Sequence, residues 1–225
     1  MMLARVADSH AYHLMELDIA RSPDDPRRVM PVMPATCRRV LDVGCGAGQT
    51  LIASELRPGT FACGIDRDVD ALRLGARLTP RVQFVGARGE SLPFRSSYFD
   101  MVISRVALPW MHIPEALAEM ARVLRPGGTA WLVLHPVSMA LRELGASLRA
   151  LDLRGVVLRS YILLNGAVFH VTGKSFACPF SRQFESFQTR GGMRRALRTA
   201  GWDRIEIRRD ARFFVVTARK PLEPR

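Results

Sequence analysis

The stretch from Val40 to Gly48, Val-Leu-Asp-Val-Gly-Cys-Gly-Ala-Gly, constrains this chain more than any other. Arg39 to Val43 is short and rich in branched aliphatic residues, so it reads as a buried strand. Gly44, Gly46 and Gly48 come next, at alternate positions. Glycine tolerates positive φ and lets backbone approach backbone or ligand closely. A strand that enters a glycine turn and then a helix is expected to present a fan of N–H groups to a polar or acidic ligand end.

The residues beyond the turn extend that unit. Phe61 to Ile65 predicts a second strand after Pro58-Gly59, and Asp68 to Leu78 a helix with Val69, Leu72 and Ala76 inward. Val82 to Val85 and Asp100 to Ser104 predict the third and fourth strands. A helix over Pro114–Leu124, with Leu117, Met120 and Leu124 inward, ends at Pro126-Gly127-Gly128 and leads to a fifth strand, Thr129–Leu134. Strands alternating with helices imply a parallel sheet covered on both faces. Ahead of this core, residues 8–20 place Tyr12, Met15 and Ile19 at helical spacing, with Asp8 or Ser9 as cap. Behind it, Ser138–Asp152 reads as a helix. Val156–Thr172 carries Asn165-Gly166 between two β-rich runs, a hairpin signal. Gly192–Ala200 predicts the last helix, and Asp203–Arg209 with Arg212–Ala218 an antiparallel pair. The expected units are a helical arm (1–36), the core (37–136), an inserted segment with a β-hairpin (137–190) and a closing helix and strand pair (191–225).

Composition enters where it restricts the ligand. Hydrophobic residues make up 48% of 225, enough for a core, and no run approaches 18 apolar residues, so no membrane span is expected. No apolar leader is visible near the start, and Cys37, Cys45, Cys63 and Cys178 show no CxxC or metal spacing. Reduced, buried thiols in a cytoplasmic protein without a metal are the expectation. The net charge is +12, and only Lys174 and Lys220 among 33 basic residues are lysines. The arginines are scattered rather than massed in one stripe, which argues against a nucleic-acid partner, since charge alone is weak evidence for one.

Asp66 closes the second strand, 20 residues after Gly46, where a carboxylate accepts from a ribose diol. A dinucleotide and S-adenosylmethionine both fit that far. Three features separate them. Gln49 stands where a dinucleotide turn has its last glycine. Asp42 beside the turn would oppose a pyrophosphate but suits an ammonium. The third is a set of downstream motifs: Glu90-Ser-Leu-Pro-Phe94, Phe99-Asp-Met-Val-Ile-Ser104 and Arg122-Val-Leu-Arg-Pro-Gly-Gly128.

With Val40–Gly48 and Gly64-Ile-Asp66, these motifs make the chain resemble the class I S-adenosylmethionine-dependent methyltransferases, most of all the branch of ubiquinone and menaquinone biosynthesis. The resemblance covers about residues 38–135 and is specific for the family, not for a substrate. It implies a Rossmann-like, doubly wound seven-stranded sheet, mostly parallel with an antiparallel last strand. It also implies that Gly44, Cys45, Gly46 and Gly48, with Asp42 nearby, take the amino-acid end of the cofactor. Asp66 would bind the ribose, Arg67 would flank the adenine, Gly89 and Glu90 would line its edge, and Ser104 would face the methionine moiety. One residue departs from the pattern. Two positions before Glu90 the family often has an aspartate that accepts from the adenine amino group; here it is Arg88, which has no acceptor. Either Glu90 or a backbone carbonyl takes that role, or the site binds adenine weakly; the plainer reading of Arg88 is a side chain that points to solvent after a strand.

Methyl transfer to a hydroxyl is helped by a base. His135 just past the fifth strand is one candidate, against the plainer reading of a loop histidine fixed by Pro136. His112 after the fourth strand is another, and Tyr12 a third, on an arm with His10 and His13 that would fold over the cofactor. The aromatic 137–190 insertion suits a small apolar or aromatic acceptor, or equally a homodimer surface. An RNA methyltransferase and a non-catalytic binding protein are the alternatives. The acceptor atom is left open.

Overall fold

The computed structural model describes residues 2–178, 184–210 and 213–222. Seven strands form one sheet: β1 (Arg39–Val43), β2 (Phe61–Asp66), β3 (Val82–Gly86), β4 (Phe99–Arg105), β5 (Leu124–Leu134), β6 (Asp203–Asp210) and β7 (Phe213–Arg219). Their order is β3-β2-β1-β4-β5-β7-β6. Pairing is parallel from β3 across to β5, and β7 runs antiparallel to both neighbours. This is the expected doubly wound sheet with its antiparallel final strand. The chain winds outward from β1 through β2 to β3, then returns to place β4 on the other side of β1. Such a reversal opens a crevice at the carboxyl ends of the two central strands.

Among the described residues there are seven α-helices: α1 (Met2–Arg21), α2 (Gln49–Ala53), α3 (Val69–Leu78), α4 (Ile113–Val123), α5 (Val137–Arg149), α6 (Leu153–Thr172) and α7 (Arg190–Thr199). The pleat assigns each strand residue to one of two cores. Leu41, Val43, Phe99 and Val102 pack with Leu117 and Met120 of α4 and Leu197 of α7. Val40, Met101 and Ile103 face the other way, onto Leu51, Trp131 and Val215. All four cysteines are buried.

Three local expectations need correction. Helix α1 begins at Met2, so Asp8 and Ser9 lie within it rather than at its start. In α3 the buried residues are Ala71, Leu72 and Gly75, while Val69 and Ala76 face solvent. A Cβ on Gly75 would meet the Phe84 ring at 2.6 Å and the Ala47 carbonyl at 2.7 Å, so beside Leu72 the helix docks closely through its glycine.

The third correction is larger. The expected hairpin at Asn165-Gly166 does not exist; α6 runs straight through it. The pair is used differently. Asn165 is fully buried, and its Nδ2 donates to the carbonyls of Phe176 and Glu185 while its Oδ1 accepts from Phe176 N–H. Gly166 lets the Phe187 ring lie on the helix: a Cβ there would stand 2.3 Å from it. Tertiary contacts thus outweigh a local turn signal. The 137–190 segment is an α5–α6 helical pair with a strap pinned across it. Phe180, one of its expected aromatics, lies outside the described residues. We expect Asn165→Ala to cost about 2–3 kcal/mol, because it removes a fully buried amide and strips its three hydrogen bonds from part-buried backbone groups. Faster amide exchange in 174–188 with the β1–β5 core still protected is the readout.

Candidate active site

At the crevice, the glycine turn is tighter than the sequence suggests. Gly44 and Cys45 N–H both donate to the Ile65 carbonyl, Gly46 N–H to Asp66 Oδ2, and Gly48 N–H to the Cys45 carbonyl. The expected fan of donors is therefore spent inside the protein; what remains open is the uncapped first turn of α2, which starts at Gln49. The three glycines are required for space and dihedral. Their φ values are +76°, +55° and +79°. A Cβ on Gly44 would stand 2.2 Å from Ala107 Cβ, one on Gly46 2.8 Å from the His13 ring, and one on Gly48 2.8 Å from Phe84.

Two cavities meet at this turn. The smaller, about 340 Å³, is lined by Ile65, Arg67, Ala87, Gly89, Glu90 and Met111. The larger, about 800 Å³, reaches from Cys45, Gly46 and Gln49 to Trp110, His135 and Phe213. Gly44, Asp66, Ala107 and Trp110 line both and form the neck between them. Asp66 is fixed there by Gly46 N–H on one oxygen and Asp68 N–H, 2.9 Å, on the other.

Glu90 reaches the smaller cavity with Oε1 accepting from His112 N–H. Its buried Oε2 has no hydrogen-bond partner and lies 3.7 Å from Arg88 Nε. Arg88 itself is 63% exposed, so the arginine that replaces the usual acid points outward and leaves Glu90 as the acceptor on that wall.

Two expected cofactor residues stand behind the wall instead of in it. Asp42 is 1% exposed, lines neither cavity, and both of its oxygens lack hydrogen-bond partners. Burial raises its pKa to about 7; Arg105 opposes the shift and Asp66 adds to it. Ser104 is also buried, with Oγ unpartnered, on the face of β4 that turns away from both cavities. The pleat gives the cavity-lining position to the next residue, Arg105. Val106 then turns at φ +63°, a strained conformation for a β-branched residue, and Ala107 enters the neck.

Helix α1 lines the larger cavity with Tyr12, His13, Met15, Glu16 and Ile19. Its clamp is polar. Arg105 donates to Glu16 Oε2 and to Thr50 Oγ1, each at 3.1 Å. Gln49 Nε2 lies 2.8 Å from His13 Nδ1. An amide nitrogen only donates, so Nδ1 is the acceptor and the ring is neutral, in keeping with burial that lowers its pKa. Gln49, notable in the sequence for not being glycine, holds the arm together with Arg105.

Of the candidate bases, His135 lines the larger cavity with its ring stacked on Phe213, 6.0 Å between centroids. Tyr12 lines it as well, its pKa raised by burial and then by Glu16. His112 lines neither; it precedes α4, and its Nδ1 stands 3.1 Å from Glu115 Oε1, off the line a hydrogen bond needs. Sequence reasoning did not find Arg105, Trp110, Met139, Glu143 or Phe213 on the wall. Only Arg105 carries a signal, as a lone cation ending an apolar strand. Among the described residues no group of acids, histidines and cysteines could hold a metal.

Comparisons with known proteins agree with this geometry. Residues 41–132 match the family model described as a methyltransferase domain. The chain is 36% identical over 105 residues to a phthiotriol/phenolphthiotriol dimycocerosates methyltransferase of Mycobacterium leprae, a match over 44% of this chain and 38% of that protein. It is 36% identical over 92 residues to a demethylmenaquinone methyltransferase of Renibacterium salmoninarum, over 40% and 38%. The matched part thus spans well under half the length of these relatives. Among solved structures, a Thermotoga maritima protein described as a SAM-dependent methyltransferase, possible histamine N-methyltransferase, superposes with a TM-score of 0.57. That match has 15% identity and covers 97% of this chain and 94% of the other. The fold is the Rossmann-like methyltransferase fold.

Proposed function

We propose that the protein is an S-adenosylmethionine-dependent methyltransferase acting on an apolar or aromatic acceptor. The observation that carries the reading is Asp66, a carboxylate held between two cavities by the glycine turn. A nucleoside with substituents on both sides of its ribose needs that arrangement. The residues present fit the cofactor. Glu90 offers an acceptor to the adenine edge, Ile65 and Met111 supply apolar walls, and Asp66 meets the diol. The glycine turn and α2 take the amino-acid end, and the unpartnered Asp42 carboxylate behind the turn favours its positive charge.

When bound, the sulfonium supplies an electrophilic methyl group with a good leaving group. The protein's share is then alignment and exclusion of water. The α1 clamp closes the cavity, and Trp110, Met139 and Phe213 shape the acceptor's place. His135 and Tyr12 are the wall groups placed to take a proton from a hydroxyl acceptor, and His112 is not. Trp110, Met139 and Phe213 on a wall that also carries Arg27, Arg142 and Glu143 support a substrate with an apolar part, as do the lipid and quinone substrates named for the two relatives. The menaquinone-like branch is one case of that class.

Titration calorimetry tests this reading: S-adenosylmethionine is expected to bind at micromolar concentration, and no heat at millimolar ligand would end it. The titration also has a pH signature. Asp42 is largely protonated in the ligand-free protein below pH 7. A cationic ligand favours its ionised form, so binding releases a proton there and affinity rises from pH 6 to 8, by up to about tenfold for each unit of pKa shift the ligand causes. In the ligand-free protein the stabilisation from the protonated carboxyl is complete below an ordinary aspartate pKa and is lost as pH rises through about 7. Asp42→Asn is expected to flatten both profiles.

A further inference from the structure

The α5–α6 pair carries an outer surface that the proposed reaction does not use. On α6, Leu153, Val157, Ser160, Leu164, Ala167 and Val171 recur at alternating steps of four and three, the spacing of a continuous helical seam, and all six are exposed. Val157 is 57% and Leu164 60% exposed. On α5, Val137, Leu141 and Leu148 repeat the pattern, and Leu151 in the connecting turn is 85% exposed. The opposite side of each helix is engaged: α6 buries Ile162, Asn165 and Phe169, and α5 turns Met139, Glu143 and Ala146 to the larger cavity. By length and composition alone α6 is long and apolar enough to cross a membrane, but it packs on α5 and α7.

Charge decides what covers such a face. The two helices and their turn hold four arginines and two acids. Glu143 is paired with Arg159 at 3.0 Å, and Asp152 is used as the cap of α6, accepting from Gly155 N–H. Arg149 and Arg154, both exposed beside Leu148 and Leu153, form no ion pair among the described residues. A second copy seated on the same face would add a second set of these arginines, and of the two acids on this pair only Asp152, the exposed cap of α6, lies outside an ion pair to meet them. An anionic lipid surface would neutralise them while taking up the leucines and valines.

We propose that the outer face of α5–α6 docks the protein on anionic lipid, with the apolar seam in the acyl boundary and Arg149 and Arg154 at the headgroups. The same α5 that lies on the lipid then walls the larger cavity, so an apolar acceptor enters from the phase in which it dissolves. The docking itself is independent of the catalytic reading and is measured without cofactor.

Sedimentation of the full chain with vesicles is the test, comparing phosphatidylcholine alone with phosphatidylcholine containing about one third phosphatidylglycerol, at low salt. The expected result is at least ~10-fold stronger binding to the anionic vesicles, with most of it lost in Val157→Glu and in Leu164→Glu. The charge-reversed pair Arg149→Glu/Arg154→Glu should lose the preference for anionic lipid. Since all of these positions are exposed, circular dichroism and S-adenosylmethionine binding are expected to match the parent chain. Absence of parent binding to anionic vesicles overturns the proposal, as does binding that the Glu variants retain. Self-association that the Glu variants abolish, with no vesicle binding, assigns the face to a second copy instead and overturns it equally.

Discussion

Asp66→Ala is expected to weaken S-adenosylmethionine binding at least tenfold while the sheet stays folded. The carboxylate lines both cavities at their neck, so it is the acceptor nearest any ribose that joins two occupants. Hydrogen bonds to a charged group contribute about 1.5–3 kcal/mol each, so losing even one ribose contact corresponds to a tenfold to hundredfold change. A second effect runs the same way. Asp66 also accepts from Gly46 and Asp68 N–H, which hold the turn and the start of α3. Without it the Gly46 donor lies unpaired beside the cavity, and the turn loses its link to β2. Asp66→Asn separates the two contributions. Its amide oxygen can still accept from Gly46, so the turn is kept, but the charge is gone and the amide nitrogen faces Asp68 N–H, whose hydrogen bond is lost. The amide should therefore fall between parent and alanine in both affinity and melting temperature. Calorimetry and thermal melts on the three proteins measure this. Equal affinity in all three would mean that the ribose does not lie at the neck.

What the sequence revealed of this site is what neighbouring residues decide. A β-branched strand, a glycine turn and an acid on the next strand are signals within a few tens of residues, and β1, the turn and Asp66 stand where they predict. The rest depends on partners the local pattern does not contain. The turn's N–H groups look free in sequence, yet the Ile65 carbonyl and Asp66 consume them. Asn165-Gly166 has the composition of a hairpin, but its amide finds three backbone groups on the strap and its glycine finds Phe187. Ser104 and Arg105 differ by one residue, which in a strand is the difference between the two faces of the sheet. Phe213 belongs to the last strand and reaches the site only because β7 inserts beside β5.

Those distant contacts also explain why the arm is more than a cover. His13 rests against Gly46 and is held by Gln49, while Glu16 is held by Arg105, the cation that lowers the pKa of Asp42 against its burial. The charge behind the turn, the turn itself and the helix above it are one connected unit. A change in the state of Asp42 is therefore felt at the α1 clamp through Arg105, and closure of the arm and occupation of the amino-acid end should be coupled.

Gly44→Ala is expected to have the largest effect of any single methyl group added to the chain. Two costs add. At φ +76° an L-residue pays roughly 1–2 kcal/mol for the left-handed backbone. The new Cβ would also stand 2.2 Å from Ala107 Cβ, a contact that no rotamer can relieve, because both atoms are fixed to backbone; the Met111 methyl at 3.2 Å can move aside. Together these give about 2–4 kcal/mol, or roughly 5–15 °C in melting temperature for a chain of this size. Gly44 and Ala107 are two sides of the neck, so the displacement also misaligns the cavities, and S-adenosylmethionine affinity should fall at least tenfold. Gly59→Ala is the matched control. Its φ is +82° but nothing lies within 4 Å of its Cβ, so it bears the backbone cost alone, about 1 kcal/mol. Removing the opposing methyl should restore part of the loss: the double variant Gly44→Ala/Ala107→Gly is expected to melt above Gly44→Ala, the sign of a direct contact in a double-mutant cycle. If Gly44→Ala costs no more than Gly59→Ala, or if Ala107→Gly rescues nothing, then the neck is wider than its glycine implies, and the turn needs Gly44 for its dihedral alone.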